Sequence, residues 1–322
     1  MGTTRAVIEG ALTALRDRVP ASLAIVVETS GSTYVRCGAI ALFAPNAQIG
    51  WLSGGCLEPD IARRAEDAAA NARVEWMEID TRDDEDLFAG SAVGCRGRLR
   101  LALLPVLSMD GWEALASAWI AGEGSLEFAI DTSGELECTI ADRQHAWALT
   151  SFFSGWQDDE DASTRWSIQL PVPPSVVIFG AGPEIPLLVP LLRALGWMTT
   201  IAESRPRWLA NTTLADRQIA ERPESAVKSI RQESIHAALV MHHNFELDRE
   251  ALHAIAPTGI AFIGLLGPKR RRDDLFKVLP IDVREALQPR LHAPIGLDLG
   301  GHGPEAIAIS IAAQLQAIMH RK

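Results

Sequence analysis

Val176-Val177-Ile178-Phe179-Gly180-Ala181-Gly182-Pro183 opens the stretch that decides the fold, and Met198-Thr199-Thr200-Ile201-Ala202-Glu203 closes it. Four consecutive apolar residues read as a strand buried on both faces, the parallel-sheet type. Gly180-Ala181-Gly182 is then a tight turn, and Pro183 suits a first helical position. Leu187, Leu188, Leu191, Leu192 and Leu195 recur at helical spacing, and Gly196 is the expected stop. The second strand ends at Glu203, about 20 residues beyond the turn, where a ribose-binding acid falls in dinucleotide sites. Strand, glycine turn, helix, strand and acid together form the dinucleotide-binding layout. In that layout the glycines admit a pyrophosphate, the helix N-terminus favours its charge, and Glu203 accepts from ribose hydroxyls. One element departs: Ile185 stands at the third glycine position. Pro186 and Pro190 also interrupt the helix ladder.

Toward the C-terminus, Ala237 to Met241 reads as another strand and delivers His242-His243-Asn244, then Asp248. Ala261-Phe262-Ile263 delivers Gly264-Leu265-Leu266-Gly267 and the basic run Lys269 to Arg272. Ligands of open α/β sheets sit at the carboxyl ends of strands, so His242, Gly264 and Gly267 fall on the side of the glycine turn. Four cations near a helix start oppose its dipole, and an acidic ligand or partner surface would relieve them. The glycine-rich stretch Ile295 to Gly303 places Asp298 and His302 on a loop before a last helix from Pro304 to about Met319.

Toward the N-terminus the chain is of another kind. An amphipathic helix covers Met1 to Arg18, and Leu23 to Glu28 is a buried strand. Cys37 to Phe43 and Gln48 to Leu52 form a hairpin about Pro45-Asn46. Ser53-Gly54-Gly55-Cys56-Leu57-Glu58 follows, then a helix from Leu57 to Arg73. This puts a thiol at a helix N-terminus, where unpaired N–H groups favour an anion and depress a thiol pKa. Gly94-Cys95-Arg96-Gly97 is a second glycine-flanked cysteine. Strand Leu99 to Leu104, helix Trp112 to Ile120, and a hairpin from Ser125 to Ala141 complete the reading. The fold class is therefore α/β: an N-terminal α+β domain with a mixed sheet over residues 1–165, a linker over 166–174, and a Rossmann-like doubly wound parallel-sheet domain over 175–322.

The chain has 322 residues, 48% of them hydrophobic and 22% charged, with net charge −11. The acidic balance argues against a nucleic-acid binder. No secretion signal or run of membrane-spanning length is present, so no membrane partner is expected. Four scattered cysteines without a Cys-x-x-Cys pair fit a cytoplasmic protein better than a disulfide framework or a structural zinc site.

Taken in order, these motifs resemble the XdhC family, accessory proteins of molybdenum hydroxylases such as xanthine dehydrogenase. The resemblance runs through Gly31-Ser32-Thr33-Tyr34 with Arg36 and Gly38, Ser53 to Glu58, and Gly94-Cys95-x-Gly97. It continues through Phe179 to Gly182, Glu203 with Arg205-Pro206, His242-x-x-x-Glu246-Leu247-Asp248, Ile263 to Gly267 and Pro294 to Gly300. It implies a chaperone that binds the molybdenum cofactor (molybdopterin or its dinucleotide form) and promotes its maturation and insertion. The implied binding residues are Arg36, Ser53, Gly54, Gly55 and Cys56 in the first half. In the second they are Gly180, Gly182, Glu203, His242, Gly264, Gly267 and Asp298. Cys56 would meet the molybdenum, Cys95 is a possible second thiol, and no residue is assigned a catalytic role. The implied partners are a molybdenum hydroxylase apoenzyme and a second copy of the chain; a cysteine desulfurase is a further candidate partner, tied to sulfur transfer through Cys56. Where family members carry His after the second glycine, this chain has Pro183-Glu184. It also has Arg96 in place of a glycine and Gln314 in place of a late-helix Glu. Two other readings stay open: an NAD(P)-binding oxidoreductase drawn from the Rossmann half, and a sulfur-transfer protein using Cys56 as nucleophile.

Overall fold

The computed structural model describes residues 2–81, 97–154, 164–231 and 234–319. Cys95 and most of the acidic runs at Asp80 to Asp86 and Gln157 to Asp161 lie outside the described residues. The chain divides into two compact units, Met1–Val172 and Pro173–Lys322.

The first unit begins with α1 (Thr4–Arg16), whose Thr3 side chain caps Ala6 N–H at 3.3 Å. Then come β1 (Ser22–Gly31), β2 (Ile40–Ala44), β3 (Ala47–Ile49), α2 (Glu58–Ala70), β4 (Val74–Asp80) and β5 (Gly97–Pro105). After α3 (Trp112–Ile120) come β6 (Leu126–Asp131), β7 (Glu135–Ile140), β8 (Arg143–Ala148), β9 (Ser151–Ser154) and β10 (Arg165–Leu170). One sheet has the order β3-β2-β1-β5-β4-β9 and the other β10-β6-β7-β8. The larger sheet is mixed, because β9 joins β4 in parallel while its other pairs are antiparallel.

Strand period explains how it is covered. Leu23, Ile25 and Val27 point to one face and pack with α1, α3 and the smaller sheet. Ala24 and Val26 point to the other and pack with Ile61, Ala65 and Ala68 of α2. A strand covered on both faces has no polar side to show, hence the continuous apolar run.

Residues 166–170, expected in a linker, instead form most of β10, which pairs with β6 along its length. Ile168 and Leu170 are buried there, and Trp166 packs on Trp76 with ring centroids 5.1 Å apart. The intervening Ser167 and Gln169 face outward. They are the solvent side of an alternating strand.

The second unit runs β11 (Ser175–Phe179), α4 (Ile185–Ala194), β12 (Met198–Ala202), α5 (Leu209–Thr212), β13 (Arg217–Ile219) and α6 (Pro223–Ser229). It continues with β14 (Ala237–Val240), α7 (Phe245–Ile255), β15 (Phe262–Leu265), α8 (Lys269–Val278), α9 (Ile281–Leu287), β16 (Leu291–His292) and α10 (Pro304–Met319). The sheet order β13-β12-β11-β14-β15-β16 is all parallel. Counted within the unit it is 3-2-1-4-5-6, the dinucleotide-binding order, with its switch point between β11 and β14. Val176, Ile178, Leu239 and Met241 pack with α4 and α10 on one face. Val177, Phe179, Ala238 and Val240 pack with α6 to α9 on the other.

α4 starts at Ile185, with Glu184 as its N-cap, rather than at Pro183. Pro186 falls in its first turn, where a missing N–H costs nothing, and Pro190 lies inside it. Ile185, at the third glycine position, is fully buried in the core beside β11. No described helix is long and apolar enough to cross a membrane.

Candidate functional site

In the first unit, the loop between β3 and α2 is built around one carboxylate. Glu58, the first residue of α2, is 4% exposed. Its Oε1 accepts from Leu52 N–H at 3.1 Å and Ser53 N–H at 2.7 Å, and its Oε2 accepts from the Ser53 hydroxyl. Burial works against its charge, but these donors hold its carboxyl below the usual carboxylate range. Ser53 Oγ in turn accepts from Leu57 N–H at 3.1 Å and lies 3.8 Å from Cys56 Sγ.

The expected helix start at the cysteine is therefore displaced. Cys56 precedes the N-cap Leu57, and the acids Glu58 and Asp60 already occupy the positive end of α2. What the loop does present is the thiol itself, exposed beside Gly54 and Gly55. Gly55 takes φ +101°, and Trp51, 54% exposed, lies next to it. Arg36 and Tyr34 are exposed on the β1–β2 loop. Val35 of that loop and Leu57 pack against the same core. Cys37 donates to Val27 O at 3.1 Å, and burial together with Glu28 pushes its thiol pKa up. Cys138 is buried, and burial pushes its thiol pKa up strongly.

In the second unit, the candidate residues divide. Gly180, Gly182, Glu203 and His242 meet at the switch point. Glu203 is fully buried. Its Oε1 accepts from Arg205 N–H and Nε, and its Oε2 from Ala181 N–H and Arg205 Nη2, at 2.6–3.0 Å. A carboxylate has about four acceptor positions. The expected ribose acceptor is thus filled by protein donors. Burial opposes its charge, yet Arg205 and the Ala181 amide keep its pKa below the ordinary value.

Arg205 Nη1 also donates to His242 O at 2.9 Å. His242 is 2% exposed, and Asp248 Oδ1 receives its backbone N–H at 3.1 Å and lies 3.2 Å from Nδ1. Arg271 donates to the second oxygen of Asp248. The basic run on α8 finds carboxylates within the chain: Arg270 pairs with Asp274, Arg271 with Asp248 and Arg272 with Asp273.

Gly264 and Gly267 have other surroundings. A Cβ on Gly264 would meet Ile295 and Leu239, so this glycine is a core-packing position. Gly267, at φ +125°, lies under Arg271. With Asp298, Gly300, Gly301 and Ser310 it lines a cavity of about 310 Å³ between the β15–α8 turn, the loop after β16 and the start of α10. Gln314, at the position of the family's late-helix Glu, receives Gly296 N–H at 2.6 Å and ties that loop to α10. His302 is exposed and is not among the lining residues.

Glu184 and His243, to which the sequence reading gives no role, form a further pair. Glu184 is 2% exposed, and both its oxygens lie 3.0–3.2 Å from His243 Nε2. That contact raises the His243 pKa above the usual imidazole value, against its partial burial. His243 holds φ +53°, a conformation that residues other than glycine seldom adopt. No cluster of His, Cys, Asp or Glu suited to a metal ion occurs among the described residues.

The fold and these two loops define a two-unit α/β protein: an α+β unit presenting a thiol on a braced loop, followed in sequence by a Rossmann unit. Comparison with known proteins places it further. Residues 14–80 match the XdhC and CoxI family, and residues 176–315 match the XdhC Rossmann domain. A Bacillus subtilis (strain 168) protein, named as a probable xanthine dehydrogenase subunit, is 27% identical over 327 residues, covering 94% of each chain. The crystal structure of a xanthine dehydrogenase from Bacillus halodurans has a TM-score of 0.77 at 28% identity, covering 100% of this chain and 97% of that one. The uncharacterized protein YqeB of Escherichia coli (strain K12) is 31% identical over 150 residues, 44% of this chain and 27% of YqeB. The chain belongs to the XdhC family.

Proposed function

We propose that this protein is an accessory protein of a xanthine dehydrogenase-type molybdenum hydroxylase, and that it binds the molybdenum cofactor for delivery to the apoenzyme. Membership of the XdhC family supports the accessory role, as do relatives named for xanthine dehydrogenase. The observation that carries the binding role is Cys56, an exposed thiol on a loop held by the buried Glu58 and Ser53.

The donor set suits such a ligand. Thiolate sulfur binds soft metal centres, and the bound cofactor would supply the molybdenum to which Cys56 offers a ligand. Trp51, more than half exposed next to Gly55, offers a flat apolar surface to a planar pterin ring. Arg36 offers a cation to phosphate from a loop that shares the core under Cys56. In the second unit Gly267 and Asp298 line the open cavity, which is large enough for part of a pterin or nucleotide.

The test is native mass spectrometry of the protein co-expressed with cofactor biosynthesis. The wild-type chain is expected to carry the mass of molybdopterin or its dinucleotide form, and Cys56→Ala to lose most of it. Full retention by Cys56→Ala would remove the thiol from the site, and absence of any cofactor mass from the wild type would remove the function.

A further inference from the structure

We infer that the glycine turn of the second unit is filled by the chain itself. Glu184 and His243 stand where this topology places a dinucleotide pyrophosphate, and NAD(P) is excluded from the switch point. Four observations at the turn support this.

First, the two turn glycines are already used. A Cβ on Gly180, at φ +109°, would come within 2.7 Å of the His242 backbone. This glycine admits the end of β14. A Cβ on Gly182 would come within 3.0 Å of Glu184 Oε2 and 3.1 Å of the His243 ring. In dinucleotide sites the second glycine leaves room for backbone to approach the pyrophosphate. Here that room holds a carboxylate and an imidazole.

Second, several of the turn's polar groups are engaged. Ala181 N–H goes to Glu203, and the Ala181 and Gly182 carbonyls accept from Asn211 Nδ2 at 2.9 and 3.3 Å.

Third, the positive end of the following helix is already occupied. Glu184 is the N-cap of the ten-residue α4, so the end of a helix that would favour a phosphate already holds a buried carboxylate in contact with His243. A second anion would have to displace it.

Fourth, Glu203 has no acceptor position left for a ribose hydroxyl. The turn keeps its dinucleotide-type sequence while its own side chains serve as the ligand. The same filling excludes the pyrophosphate of a dinucleotide cofactor from this turn. It concerns the second unit alone and stands whether or not Cys56 holds a cofactor.

The test is titration of the full chain with NADH, followed by fluorescence, and with ADP, followed by calorimetry. Wild type is expected to show no saturable binding of either probe tighter than about 1 mM. Glu184→Ala, which removes both the charge and the bulk over Gly182, is expected to gain ADP affinity at least tenfold. Glu184→Gln keeps the shape and the contact with His243, and is expected to gain less. It serves in place of Glu184→Ala if that variant does not fold. Saturable wild-type NADH binding tighter than about 1 mM would overturn the proposal. So would a folded Glu184→Ala protein with no gain over wild type.

Discussion

Two turns in this molecule read alike in sequence and differ in what they leave open. Each joins a strand to a helix through glycines, and each is braced by a buried glutamate that accepts backbone N–H groups: Glu58 for one, Glu203 for the other. At Ser53 to Cys56 the brace is buried while the thiol is exposed, and nothing comes within 4 Å of a Cβ placed on Gly54. At Gly180 to Gly182 the brace holds Ala181 N–H, and His242, His243 and Glu184 crowd the two glycines. A glycine shows that something comes close to the backbone. It does not show whether that something is a ligand or the protein.

Substitutions at the two turns have separate expected costs. The largest effect is expected for Glu203→Ala, which strands the mostly buried Arg205 guanidinium and frees Ala181 N–H. Chemical denaturation should show a loss of about 3–4 kcal/mol. Gly180→Ala comes next. Its Cβ would meet backbone, which cannot swing aside, in a conformation strained for any L side chain. A loss of about 2–4 kcal/mol is expected in the same assay.

Glu58→Gln keeps the size of the brace but puts an amide where three donors converge, and should cost about 1–3 kcal/mol. Its second readout is labelling of Cys56 by Ellman's reagent in a chain carrying Cys37→Ser and Cys95→Ser, since Cys37 is exposed too. The rate should change several-fold if the brace sets the thiol's position, and stay constant if it does not.

The Glu184–His243 contact predicts a smaller, pH-dependent effect. The folded-state pKa of His243 is raised, so its stabilisation is complete below the unfolded imidazole value of about 6.5. That contribution fades as pH rises through the raised value. His243→Gln should remove this slope from the thermal midpoint, a change of no more than about 2 °C because the half-exposed ring is screened by solvent. Smallest of all is Gly54→Ala. With open space around it and no positive φ, stability should move by less than about 0.5 kcal/mol.

Much of the architecture is legible in the sequence, for identifiable reasons. Val176 to Phe179 is buried on both faces, so its apolar run is continuous, and the glycine turn with Glu203 fixes the order of the helix and strand around it. Trp112 to Ile120 reads as a helix with the bounds the structure gives it. β10 is hidden because Ser167 and Gln169, its outward residues, look like linker residues beside Pro171. The start of α4 is displaced from its expected place because Pro183, Pro186 and Pro190 all suit or disturb a helix locally, and only packing chooses among them.

The candidate sites are legible as positions more than as roles. Cys56 stands out because two glycines precede it. The filling of the second turn cannot be read, because Glu184 and His243 are 59 residues apart and meet only through the β11–β14 crossover. Gly264 looks like a ligand contact because nothing in a strand pattern announces Ile295 above it.

The return of β9 to the edge of the larger sheet bears on how this protein can be cut. The chain leaves that sheet after β5, builds β6 to β8 elsewhere, and comes back at Ser151–Ser154 to lie along β4. A gene fragment ending near residue 120 would still encode the cysteine loop, but it would expose the margin of β4 and strip Trp76 of Phe153 and Trp166. Such a margin recruits other chains. For anyone wishing to study the thiol-bearing half by itself, the workable terminus lies beyond Leu170, at the division after Val172.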